Sequence, residues 1–177
     1  MVEIVQKGNE VLRQTARNIP LAEIKTPKIQ KILKEMIVAL DAQEDGVAIA
    51  APQIGVSLRI FIVSKKVEIL IKGEENLTQK EKETFKDTVY INPEIKKLSR
   101  TKNRLDEGCL SVRYLYGKVL RSEKATVTAY DEHGRKFTKG ASGLLAQIFQ
   151  HETDHLNGIL FIDKADDIVE VLPKKND

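Results

Sequence analysis

The chain has 177 residues, 41% hydrophobic and 31% charged, with 29 basic and 26 acidic side chains giving a formal net charge of +3. So mild a charge, with only four Tyr and five Phe to stack on bases, argues against direct nucleic-acid recognition. No apolar run reaches the roughly 18 to 20 residues that span a membrane, and the amino terminus lacks the order of a secretory signal.

These features predict one globular domain over residues 1–177, placed in a bacterial-type cytoplasm or in an organelle after processing, with no membrane partner. A single cysteine, Cys109, excludes an internal disulfide framework and suits a reducing compartment. On its own such a thiol reads as a small buried apolar residue.

In chain order, Thr26-Pro27 has the form of a helix cap and first helical residue. Ile29, Ile32, Leu33, Met36, Ile37 and Leu40 then recur at helical spacing until Gly46. "LRIFIV" and "TVYINPEI" read as strands, and "KATVTAY" and "KFTKGA" flank the turn "DEHG" as a hairpin. Between the first two strands, residues 65–87 hold six basic and six acidic side chains around the short apolar stretch "VEILI", which predicts a solvated hairpin or loop insertion. Local strand connections favour an α+β fold with antiparallel β-sheets over a parallel βαβ arrangement.

A second long helix follows, capped by Ser142, weighted by Leu144, Leu145, Ile148 and Phe149, and ended by Asn157-Gly158. It carries "QHETDHLNG". Residues four apart on a helix point the same way, so His151 and His155 can direct both imidazoles at one ion, while Glu152 is turned toward that ion's remaining ligand, a water. A lone histidine rarely means a metal, and His133, in the charged turn, reads as solvated. Two of the three histidines with an acid between them in an otherwise apolar helix are a different matter, because burying them without an ion would be costly.

Two histidines leave a catalytic site one protein ligand short. The metzincin pattern HExxHxxGxxH continues through Gly158 but meets Phe161 at its last histidine, which excludes that family. Glu170 could supply a downstream carboxylate, and Cys109, in "EGCLSV", could supply a thiolate that metal would keep deprotonated.

Three segments in order, "GVAIAAPQIG" (46–55), "EGCLS" (107–111) and "QHETDH" (150–155), resemble the three signature motifs of peptide deformylases, and "VLRQTA", "YINPEI" and "GLLAQIFQHETDHLNGILFID" extend the resemblance over most of the chain. The resemblance implies antiparallel sheets packed around a central metal-binding HExxH helix. It also implies removal of formyl from the N-terminal formylmethionine of nascent polypeptides, with release of formate. By motif position, Cys109, His151 and His155 would hold one divalent ion: ferrous iron (Fe2+) first, with Zn2+, Ni2+ or Co2+ as alternatives. Glu152 would be the general acid/base, and Gln53 with the Leu110 backbone N–H would stabilise the oxyanion. N-formylmethionyl peptides are the implied partner, with an encounter at the ribosome left open.

Helical geometry puts Leu144, Gln147 and Ile148 on the His151 face, as an apolar wall suited to methionine interrupted by one amide. The resemblance adds Val47, Ala48 and Gly108 to the same pocket. It also implies that Glu107 pairs with Arg121 to brace the cysteine turn, the alternative being an ordinary surface pair. The chain departs from the family in carrying Ala48 and Ile49 where glycine and leucine are usual, and Arg113 where proline is common. The Ala48 methyl could crowd a bound peptide. Two other functions stay open: a metallohydrolase with another acyl or peptide preference, and a binding module whose ion only staples the fold.

Overall fold

The structure is a computed structural model that describes residues 2–172. Its first helix, α1 (Pro27–Asp41), begins as the sequence suggests. The Thr26 hydroxyl accepts from the Ile29 N–H, and Pro27 spends its missing donor where a helix has no use for one. Its predicted apolar face buries Ile29, Ile32, Leu33, Met36 and Leu40.

Among the described residues, eight strands form two sheets, and all their pairings are antiparallel. The larger contains β1 (Ala48–Ala50), β2 (Ile60–Val63), β3 (Thr88–Leu98), β6 (Lys124–Tyr130) and β7 (Lys136–Ser142), in the spatial order 1-2-3-6-7. The smaller contains β4 (Lys102–Gly108), β5 (Leu115–Ser122) and β8 (Asp166–Glu170), in the order 4-5-8. The predicted β6–β7 hairpin is present, joined through the 131–134 turn, and the "LRIFIV" strand starts two residues later than the sequence suggests.

Period-two alternation explains how the larger sheet is covered on both faces. Ile60, Ile62, Val89 and Ile91 pack with α1, while Phe61, Val63, Tyr90, Ala125, Val127 and Ala129 pack with the second long helix, α4 (Gly143–Leu156). Phe149 of α4 is fully buried against Phe61 and Tyr90. The helix carrying the two histidines thus lies on the larger sheet and also touches β5 of the smaller one. Its amino end differs from expectation in one respect: Ser142 occupies the cap position, but its hydroxyl makes no capping bond. At the other end, Gly158 has φ +74°, and a Cβ there would lie 2.6 Å from the Arg13 carbonyl oxygen, so no other residue fits.

The charged excursion is neither hairpin nor loop. It folds as α2 (Lys66–Lys72), a turn of 3-10 helix (Glu74–Asn76) and α3 (Gln79–Lys82). The reason is local. Val67 of "VEILI" is buried, and Thr78 with Glu81 forms a reciprocal capping box that starts a helix. No helix among the described residues is long and apolar enough to cross a membrane.

Candidate active site

The three signature segments meet at the buried side of α4. One face of the helix presents His151 and His155, with ring centroids 4.9 Å apart. Strand β4 ends at Gly108, and the turn that follows turns Cys109 toward them, Sγ lying 3.2 Å from His155 Nε2. One ligand atom from each of Cys109, His151 and His155 lies within 4.8 Å of the other two. Glu170, the other candidate third ligand, sits on the exposed strand β8 and is not part of this cluster, so the downstream-carboxylate reading is overturned. His133 lies exposed in its turn, as expected.

A chain of charges fixes the first histidine. Burial works to raise the Glu107 carboxyl, but hydrogen bonds from Arg121 and His151 outweigh it and hold the pKa at about 2. Glu107 is therefore an acceptor, so the His151 Nδ1–H must donate to it (3.0 Å), which leaves Nε2 free for a ligand. The Arg121 guanidinium grips Glu107 with both arms, Nε to Oε1 at 2.7 Å and Nη2 to Oε2 at 2.9 Å, and donates through Nη1 to Asp154 Oδ2 at 2.6 Å. Lys164 Nζ completes the arc at 2.7 and 2.8 Å from the two Asp154 oxygens. With side chains only 4% and 3% exposed, Arg121 and Glu107 form a buried brace and not a surface pair.

Burial also pushes the Cys109 thiol up, yet His155 and His151 beside it bring it down to about 5. The donor set thus suits a metal that prefers a thiolate and two neutral imidazoles. Glu152 is 4% exposed and burial raises its carboxyl, while its Oε2 finds no hydrogen-bond partner among the described residues. A buried oxygen without a partner beside three convergent ligand atoms fits an ion with its water. Gln53, also buried, is oriented by its neighbours: its Oε1 accepts from the Ala50 N–H (2.8 Å), which turns Nε2 toward Ser111 Oγ (3.2 Å) and Cys109 Sγ (3.5 Å). The Leu110 N–H makes no hydrogen bond among the described residues.

A cavity of about 320 Å³ opens over this cluster. Val47, Ala48, Gly108, Leu110, Leu144 and Ile148 all line it, together with Gln53, His151 and Glu152. Ala48 is 5% exposed and belongs to the core on the α4 side, so most of its surface meets protein. Gln147 is tied back to β4, its amide donating to the Asp106 carbonyl at 2.9 Å. A Cβ at Gly108 would lie 2.7 Å from the ring of Tyr116, an exposed side chain that would have to swing aside.

Reading the sequence missed Asp154, which holds Arg121, Lys164, which holds Asp154, Ser111, which holds Gln53, and Asp45, which joins Arg113 at the cavity mouth. Asp154 carried a signal, an acid in a mostly apolar helix. Lys164 carried none.

A family model described as polypeptide deformylase matches residues 1–170. The chain is 41% identical over 163 residues to "Peptide deformylase 1A, chloroplastic/mitochondrial" of Arabidopsis thaliana, covering 92% of this chain and 60% of that protein. It therefore spans somewhat less than two thirds of that plant relative's length. It is also 41% identical over 167 residues to a peptide deformylase of Carboxydothermus hydrogenoformans, covering 94% and 95% of the two chains. Two solved structures are similar. One is a Synechococcus elongatus peptide deformylase in complex with actinonin (TM-score 0.76, 31% identity, 94% of this chain and 79% of that one). The other is a Met-Ala-Ser-bound peptide deformylase of Acinetobacter baumannii (TM-score 0.77, 29% identity, 93% and 98%).

Proposed function

Since the chain belongs to the polypeptide deformylase family, we propose that it hydrolyses the formyl group from N-formylmethionyl peptides, releasing formate and a free amino terminus. The observation that carries this reading is the meeting, in one cavity, of the Cys109, His151 and His155 ligand atoms with a buried, unpartnered Glu152 oxygen and a pinned Gln53 amide. The substrate is the start of a nascent polypeptide, met in a bacterial-type cytosol or an organelle.

Cys109, His151 and His155 would hold one divalent ion, ferrous iron in the first instance, with zinc, nickel or cobalt as alternatives. Such an ion, when bound, acidifies a water and polarises the formyl oxygen. The residues of the chain do the rest. Glu152, raised by burial, accepts the proton of the attacking water and later delivers it to the leaving amine. Gln53 Nε2 and the Leu110 N–H donate to the oxygen on which negative charge develops; the Leu110 N–H makes no other bond among the described residues, while Gln53 Nε2 gives up one of its bonds, to Ser111 Oγ or Cys109 Sγ, to do so. Val47, Leu144 and Ile148 give the methionine side chain an apolar wall, and Met-Ala-Ser, bound by the Acinetobacter relative, has the chemistry of the deformylated product.

The test joins oxygen-free metal analysis to formate release from formyl-Met-Ala on the same sample. Glu152→Ala is expected to keep its ion and lose activity by about 10² to 10⁴. Unchanged activity in that variant would reject the mechanism. Cleavage of internal peptide bonds without formate would move the enzyme to another class of metallohydrolase.

A further inference from the structure

The cavity mouth carries an ion pair that the proposed reaction does not use. Asp45 stands on one side, just before the Gly46-Val47 wall, and Arg113 on the other, two residues beyond Ser111; both line the cavity. Arg113 donates from Nη1 to Asp45 Oδ2 at 2.7 Å, and from Nη2 to Asp45 Oδ1 at 3.3 Å and to Gln43 Oε1 at 2.6 Å. Its own turn is tied down separately, because its N–H donates to Gln6 Oε1, while the Gln6 amide donates to the Leu110 carbonyl.

We propose that Arg113 determines the charge preference of this site for the peptide residues that follow methionine, favouring acidic side chains at the cavity mouth. The inference rests on the deformylase reading, since it supposes a peptide whose formyl end lies at the cluster and whose chain leaves past Arg113. Three of the five N–H groups of the guanidinium are engaged by Asp45 and Gln43; the two left, the Nε–H and one Nη1–H, lie on opposite edges, so a substrate carboxylate takes the Nη1/Nη2 fork by displacing Asp45 from it. Asp45 is the looser partner: its side chain is 59% exposed against 29% for Arg113, so water can take it over at little cost when a substrate acid displaces it. Asp106 also lines the cavity. Without Arg113 the mouth would hold the uncompensated carboxylates of Asp45 and Asp106 and would favour lysine instead.

The experiment measures kcat/KM of the metal-loaded enzyme on amidated formyl-Met-Xaa-Xaa tripeptides with Xaa Ala, Glu or Lys. Arg113→Gln should lower the Glu-to-Lys ratio about three- to fivefold at low ionic strength, and the difference should shrink in about 0.5 M salt. Arg113→Lys, which keeps the charge without the fork, should recover part of the ratio, and Asp45→Asn, which removes the competing carboxylate, should raise it. A ratio unchanged in Arg113→Gln, or changed equally by Arg113→Lys, overturns the proposal while leaving the reaction standing. Failure of the unsubstituted enzyme to release formate even from the Ala peptide overturns the deformylase reading and this inference with it.

Discussion

Two regions of the molecule are rich in charge, and the charges behave differently. Under α4, Glu107, Arg121 and Asp154 form an arc with almost no water around them, closed at the surface by Lys164. In the insertion, residues 65–87, twelve charges of both signs line short helices whose side chains mostly face solvent. The first arrangement is geometry: each group fixes the next, ending at His151. In the second, Thr78 and Glu81 cap a helix, and the other contacts, among them Lys82 to Glu74, Lys66 to the Gln43 carbonyl and the Lys65 N–H to Asp87, are separate from one another and form no continuous arc. Charge content is the same signal in both; what separates them is whether removing one member leaves its neighbour stranded.

The largest effect should come from breaking the arc at its centre. Arg121→Ala removes the guanidinium bonded to Glu107, leaving it the His151 N–H and a long Gln147 contact, and leaves Asp154 with Lys164 alone; the loss of one partner from a buried pair costs about 3 to 5 kcal/mol. Urea unfolding of the metal-free protein measures it. A loss under about 1 kcal/mol would place the arc in the same class as a surface pair and erase the contrast.

Glu107→Gln comes next and acts on the site more than on the fold. The amide keeps the shape but loses the charge that fixes the His151 tautomer, so metal retention under chelator challenge should weaken by about 10- to 100-fold. The acid side of the stability curve should change too. The folded pKa of Glu107, at about 2, lies below the 4.5 of the free side chain. Its stabilisation is therefore complete above about pH 4.5 and is lost as pH falls toward 2. In the metal-free protein that slope should be shallower in Glu107→Gln, and an unchanged slope would mean that other carboxylates dominate acid unfolding.

The sequence showed the ends of these chains of interaction better than their middles. His151, Glu152 and His155 were readable because helical spacing turns four residues into one face, and α1 because Thr26-Pro27 and its apolar repeat agree. Cys109 needed a neighbour 46 residues away, and before the family resemblance it was favoured by its thiolate chemistry over Glu170, a poorly placed candidate near the chain's end. Strands β4 and β5 were missed because half their residues face water and their alternation includes long polar side chains; yet their pairing puts Glu107 and Arg121, 14 residues apart, on one face of the smaller sheet, where the long arginine reaches along it to the carboxylate. Lys164 could not be found by any local rule, since it reaches Asp154 only after the chain has turned at Gly158.

The smallest effect tests the other side of the contrast. Lys82 bonds Glu74 at 3.0 Å, against 2.6 to 2.9 Å in the arc, so distance alone would rank the two nearly alike. Solvation ranks them differently. The Glu74 side chain is 73% exposed, and water replaces its partner as soon as Lys82 is gone. Lys82→Ala should therefore change stability by no more than about 0.5 kcal/mol and leave formate release unaltered. A loss near 2 kcal/mol would show that the insertion is braced by its charges as the metal-side helix is, and that exposure is the wrong criterion for telling the two regions apart.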